Sequence, residues 1–374
     1  GNVYYPNHTI SEIENIMQEF MGIDTYIIME TLPYDGIHHI DMHMKLLDEE
    51  TILIAEYPAG VADGPQIDAN LQYVINNYNS AFGTAYKVVR IPSPPSSGGY
   101  FPDNNGYYRT YTNSVFLNNT VLVPFYREEY DTIAQRIYEE ALPGYNIIGI
   151  DVDDSGTNLI SYSGAIHCIT HSVGIDEPLL IQHQSLEDTN PQANYIVSAN
   201  IQHNSGIANA NVYFSTDLSL GYNSPITMYN TAGNTWEANL PGTITSGSNV
   251  YYYIEATSNS GKTINRPMPA PAGYFDFKIL NNVSDIRDGI DMKLSVFPNP
   301  ASAITCIPVN ISHKTQATIF LVDVLGQKTS LIFEGDLPSG ESKHFIDASQ
   351  YPAGVYNIVL QTTLEKATQL LIIQ

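Results

Sequence analysis

Two stretches of this chain carry side chains able to do acid–base and nucleophilic chemistry. In GIHHIDMHM, residues 36–44, His39, Asp41 and His43 alternate with Ile40, Met42 and Met44. Such alternation predicts a strand that presents two imidazoles and a carboxylate on one face. In SGAIHCIT, residues 163–170, Cys168 lies in an apolar, glycine-containing run. An imidazole moves protons, a carboxylate holds a cation and a thiolate attacks an electrophilic carbon, so the three together would suit covalent chemistry on a cationic substrate.

Plainer readings exist for each. The alternating residues could be the solvated face of a strand whose Ile and Met side chains pack inside. A lone cysteine is most often a small buried hydrophobe. Three His or carboxylate ligands at alternating positions could hold Zn²⁺, although the chemistry above needs no metal or cofactor. His167 and His171 flank the cysteine. Strand parity turns His167 away from it, which makes His167 structural.

Positioning these groups falls to a pattern that repeats. ISEIENIMQEFM reads as an amphipathic helix, TYIIMETL as a strand and HHIDMHMKLLDEETILIAEY as a hairpin. A helix over IDANLQYVINNYNSAF and a strand over YKVVRIPSP follow. The order then recurs as a hairpin in YTNSVFLNNTVLVPFY turning at Asn118 and Asn119, a helix over EEYDTIAQRIYEEAL and a strand over NIIGIDV. SGAIHCIT reads as the opening of a third hairpin. Beyond it the helical patterns stop, and short alternating runs broken by Gly, Asn, Ser and Pro predict two β-sandwiches.

Composition narrows the function classes. A chain of 374 residues exceeds the ~100–200 of one domain. With 39 acidic against 15 basic residues, its net charge of −24 disfavours nucleic acid and anionic membranes and favours cationic partners. No apolar run reaches the ~18 residues of a bilayer span. GNVYYPNHTISEIENIMQEF shows no secretory signal pattern. The two cysteines, Cys168 and Cys306, are too few for a disulfide framework. Cys306 reads as core. Asp151, Asp153 and Asp154 read as a solvated acidic loop rather than a Ca²⁺ site. Trp236 and the tyrosines of the middle region read as core more readily than as a contact face.

Taken in order, HHID, YTNSVFLNNTVLVP and SGAIHCIT resemble the guanidino-group-modifying superfamily, whose members fold as a ring of ββαβ units, the pentein propeller. The resemblance is nearest to the Porphyromonas-type bacterial peptidylarginine deiminases and to agmatine deiminases. It implies an α+β chain: a partial, N-terminally truncated pentein unit over 1–182, an immunoglobulin-like sandwich over 183–281, a linker over 282–292 and a last sandwich over 293–374. It further implies His39, Asp41, Asn113 and Cys168 as the catalytic set, with Cys168 as nucleophile and His39 as general acid/base, and Asp41 and Asn113 also binding the substrate. Hydrolysis of an arginine guanidinium to a citrulline-type urea and ammonia would follow, on peptides or proteins. A small-guanidine hydrolase acting on agmatine and a non-catalytic secreted binding protein are the alternatives.

The tail has its own resemblance. SVFPNPAS, LVDVLGQK, LPSG, YPAGVYNIVL and the terminal LLIIQ resemble the C-terminal sorting domain of type IX secretion. That implies the secretion machinery as a partner and a secreted or outer-membrane-surface location in a Bacteroidetes-type bacterium.

Overall fold

The computed structural model describes residues 8–154, 158–162, 164–280, 292–323, 326–362 and 365–374. The predicted linker over 282–292 lies outside the described residues except for Met292. Mixed α+β structure is confirmed: helices α1 (Ile10–Met21), α2 (Gly64–Asn77) and α3 (Glu128–Ala141) all fall in the N-terminal part, and strands dominate the remainder.

The repeat is present as two units of the same topology. In the first, β1 (Met44–Leu46) pairs antiparallel with β2 (Thr51–Glu56), and α2 carries the chain to β3 (Lys87–Pro92), parallel to β2. In the second, β4 (Val115–Leu117), β5 (Thr120–Phe125), α3 and β6 (Asn146–Asp151) repeat the order. The turn between β4 and β5 is the predicted Asn118–Asn119, with Asn118 at φ 54 in the left-handed region that Asn tolerates. Each helix buries one stripe. Ile67, Leu71 and Val74 of α2 pack with Ile52 and Ile54 of β2. Ile133, Ile137 and Tyr138 of α3 pack with Val121 and Val123 of β5. Each fully buried aliphatic side chain contributes roughly 1.5–3 kcal/mol.

Three expectations fail here. TYIIMETL forms no strand; the chain runs from α1 to the site without one. HHID is not strand either. His38 takes φ 55 and a single 3-10 turn, Ile40–Met42, follows, so the extended run breaks before β1 begins. SGAIHCIT opens no hairpin: a 3-10 turn spans His167–Ile169, because a buried asparagine occupies the hydrogen bonds a partner strand would take.

Two further pairs of sheets follow. In the middle region, β7 (Leu180–Gln182), β8 (Asn194–Gln202), β9 (Ile207–Ser215), β10 (Ile226–Thr227), β11 (Tyr229–Ala232), β12 (Thr235–Pro241), β13 (Asn249–Ser258), β14 (Thr263–Arg266) and β15 (Phe275–Lys278) form sheets β11-β12-β8-β7 and β10-β9-β13-β14, with β15 on β13. Both sheets send alternate residues, Val197 and Ile201 from one and Val212 and Ile254 from the other, into one core. Trp236 packs against this core.

The last region contains β16 (Met292–Leu294), β17 (Ile304–Ile311), β18 (Thr315–Val322), β19 (Lys328–Leu337), β20 (Gly340–Asp347), β21 (Gly354–Thr362) and β22 (Lys366–Ile373), in sheets β16-β17-β20 and β19-β18-β21-β22. Ile304 and Cys306 of β17 join the core of the second ββαβ unit, where Arg136 of α3 stacks over Phe297 at 4.0 Å and Lys343 pairs with Glu140 at 2.8 Å. Cys306 is buried, as its strand position predicts, and burial holds its thiol protonated. No helix among the described residues is long and apolar enough to cross a membrane.

Candidate active site

The site is built on Asn113. It sits in the connection between β3 and β4, where Arg109, Thr110, Thr112, Asn113 and Ser114 are all buried without being strand. A buried loop must find partners for its backbone groups, and this one does. The Tyr126 hydroxyl receives the Thr110 N–H and donates to the Thr110 carbonyl. Tyr138 donates to the Tyr111 carbonyl and Lys45 to that of Ser114. Arg109 makes two 2.7 Å contacts to Asp153 Oδ2. Asp153 is therefore an anchor of this loop and not part of a solvated acidic loop.

Both ends of the Asn113 side chain are used. Its Oδ1 accepts from the Ala165 N–H at 3.2 Å and the His167 N–H at 3.0 Å, while its main-chain carbonyl also accepts from His167 N at 3.2 Å. These bonds fold the cysteine turn onto the loop. Its Nδ2 donates to Asp41 Oδ2 at 2.8 Å and to Cys168 Sγ at 3.1 Å. Cys168 Sγ lies 3.6 Å from the same carboxylate oxygen. Thr112 Oγ1 donates to the Asp41 carbonyl at 2.9 Å, which fixes the acid's backbone. One carboxamide thus holds the carboxylate and the sulfur in contact.

His39 completes the cluster from the residue before the Ile40–Met42 turn. One ligand-capable atom from each of His39, Asp41 and Cys168 lies within 4.8 Å of the other two. Gly164 has a steric duty here: a Cβ at that position would stand 2.8 Å from Cys168 Cβ and 3.0 Å from Sγ. All four predicted residues are therefore brought together, and Cys168 is exposed.

Two parity readings are corrected. His167 is no bystander: its Nδ1 lies 2.5 Å from Asp41 Oδ2. Alternation of faces holds only for extended backbone, and in a 3-10 turn consecutive side chains are about 120° apart, so neighbours can address one centre. The signal that could have found it is the glycine four residues before the cysteine, which favours a turn. His43, by contrast, does not share the face of His39 and Asp41. It is buried, and among the described residues neither ring nitrogen has a partner. Burial outweighs the neighbouring Asp35 and Asp41 and pushes its pKa down to about 4.

Against known proteins, residues 5–173 match the family model for Porphyromonas-type peptidyl-arginine deiminase. This segment belongs to that family. Residues 295–374 match the model of the secretion system C-terminal sorting domain, which marks the chain for export to the surface or exterior of a Bacteroidetes-type cell. A Vibrio parahaemolyticus protein assigned as an agmatine deiminase is 23% identical over 186 residues, covering 45% of this chain and 50% of the relative. A Legionella pneumophila protein with the same assignment is 28% identical over 98 residues, 26% of each chain. Among solved structures, the C. jejuni agmatine deiminase shows 24% identity and a TM-score of 0.36, covering 44% of this chain and 47% of its own. An assigned arginine deiminase from Porphyromonas gingivalis shows 22% and 0.38, with the same coverage of 44% and 47%. The chain spans about half the length or less of these relatives. The deiminase segment contains every residue of the cluster built around Asn113.

Proposed function

We propose that this chain carries the nucleophile-bearing part of an exported deiminase that hydrolyses the guanidinium of arginine in peptides or proteins to citrulline and ammonia. The observation that carries this reading is the contact of Asp41 and Cys168 through Asn113, a carboxylate and a sulfur 3.6 Å apart. A guanidinium is planar and permanently charged, and its paired N–H groups suit a carboxylate. Bound to Asp41, it would set its carbon beside the sulfur.

In the reaction, the Cys168 thiolate forms an S–C bond to the guanidinium carbon. The C–N bond to a terminal nitrogen breaks as that nitrogen leaves as ammonia, taking a proton from His39. Water, deprotonated by the same imidazole, then adds to the thiouronium carbon. Cleavage of the S–C bond returns the thiolate and gives the urea. The Asn113 amide supports negative charge on both carboxylate and sulfur, and His167 orients Asp41 from its other side. A substrate cation bound between Asp41 and Cys168 would be attracted to both the carboxylate and the attacking sulfur. The same reading assigns the two ββαβ units to a pentein ring over 1–182, an immunoglobulin-like module over 183–281 and the sorting domain over 293–374.

The test is citrulline and ammonia release from an internal-arginine peptide, an arginine-terminated peptide and agmatine, by this chain and its Cys168→Ala variant. Cys168-dependent turnover of the peptides supports the proposal. Turnover of agmatine alone moves the substrate to small guanidines, and absence of turnover with all three favours a binding role.

A further inference from the structure

The same three side chains that suit a guanidinium also form a metal-ligand set. Among the described residues, His39, Asp41 and Cys168 make the one group of three such residues whose ligand atoms lie mutually within 4.8 Å. In a tetrahedral Zn²⁺ site, bond lengths of about 2.0–2.3 Å place ligand atoms roughly 3.3–3.8 Å apart. Cys168 Sγ and Asp41 Oδ2, at 3.6 Å, already stand at that separation. The separations from the His39 ligand atom are no more than 4.8 Å, so bringing it in requires a closing of at most about 1.5 Å, within reach of a side-chain rotation. A thiolate, an imidazole and a carboxylate favour Zn²⁺ over Mg²⁺ or Ca²⁺, which prefer all-oxygen sites. The exposure of Cys168 leaves the fourth position to water.

We propose that His39, Asp41 and Cys168 form a reversible Zn²⁺ site and that its filling silences the nucleophile. Binding replaces the Cys168 S–H bond by an S–Zn bond and releases the proton to solvent, with no change of oxidation state. The metal and a guanidinium then compete, because each needs the Asp41 carboxylate and the Cys168 sulfur. The consequence for activity rests on the deiminase reading; metal binding itself does not.

The experiment titrates the full chain with Zn²⁺ against a chromogenic chelator and follows alkylation of Cys168 by iodoacetamide, with the buried Cys306 as internal reference. One equivalent of Zn²⁺ is expected, with Cys168 alkylation slowed at least tenfold and no effect of Mg²⁺ or Ca²⁺. Cys168→Ala and His39→Ala should each weaken binding at least tenfold at unchanged circular dichroism, while His171→Ala should not. Co²⁺ should give a thiolate charge-transfer band that Cys168→Ala lacks. Equal affinity in Cys168→Ala, or bound Zn²⁺ that leaves alkylation of Cys168 unslowed, would overturn the proposal. None of these readouts uses turnover, so a chain without deiminase activity that still binds Zn²⁺ refutes the one reading and keeps the other.

Discussion

At the scale of single residues, Asn113 is the group on which the site depends, although its own role is to position others. Replacing it by Ala removes the side-chain acceptor of two N–H groups; His167 N keeps the main-chain carbonyl of residue 113, but the buried Ala165 N–H loses this partner, at a cost of about 1–3 kcal/mol. The Asn113→Ala chain should unfold at lower denaturant, and its Cys168 should lose its contact with Asp41, read as turnover falling further than Asp41→Asn lowers it. His167 and His39 separate by pH. His39→Ala should remove the proton-transfer limbs of the rate profile, whereas His167→Ala should lower the rate while keeping the profile's shape. His39, Asp41 and Cys168 stood out in the sequence because side-chain chemistry is local, whereas Asn113 was picked out only by the family resemblance. The contact of His167 with Asp41 was not legible in the sequence, since it depends on a backbone turn set by an asparagine 54 residues away.

At the scale of elements, the repeated order of hairpin, helix and strand could be read directly, because buried stripes on α2 and α3 and the continuous apolar run of β2 have distinct periods. The segments carrying the chemistry could not. HHID and SGAIHCIT have strand-like composition, yet His38 in the left-handed region and the hydrogen bonds to Asn113 impose turns on both. The second turn leaves little room at Gly164. Gly164→Ala should displace Cys168 and lower turnover by about 100-fold with a much smaller change in unfolding midpoint.

In the middle sheets, His183 gives a pH-dependent element. It bridges the Ser198 carbonyl and the Tyr252 hydroxyl while neutral, and burial pushes its pKa down from 6.5 to about 4. The unfolded chain takes up a proton below 6.5 that the folded chain refuses until about 4. This contribution is therefore complete above pH 6.5 and is lost across that window as the solution is acidified. His183→Gln should lower stability at pH 8 and flatten the decline between pH 6.5 and 4 in denaturant titrations.

At the scale of the whole molecule, the sorting domain is packed on the deiminase segment and does not trail from it. Ile304 and Cys306 share a core with α3, and Lys343, only 7% exposed along its side chain, pairs with Glu140. Lys343→Ala should destabilise the chain by about 1 kcal/mol, because Glu140 remains partly solvated. Cleavage that removes residues 293–374 should lower the melting temperature of the deiminase segment, measured by calorimetry. The sequence showed three regions of different pattern, but side-chain periodicity within a strand says nothing of which neighbouring sheet it meets, so this packing could not be read from it.

The central claim is that Cys168 attacks a guanidinium carbon held by Asp41. Its most direct test is intact-mass analysis of the chain acid-quenched during incubation with an arginine peptide. The account predicts an adduct of the peptide mass less one ammonia, mapped to Cys168 and missing from Cys168→Ala. Urea product formed by Cys168→Ala at the unsubstituted rate, or an adduct mapped to any other residue, would contradict it.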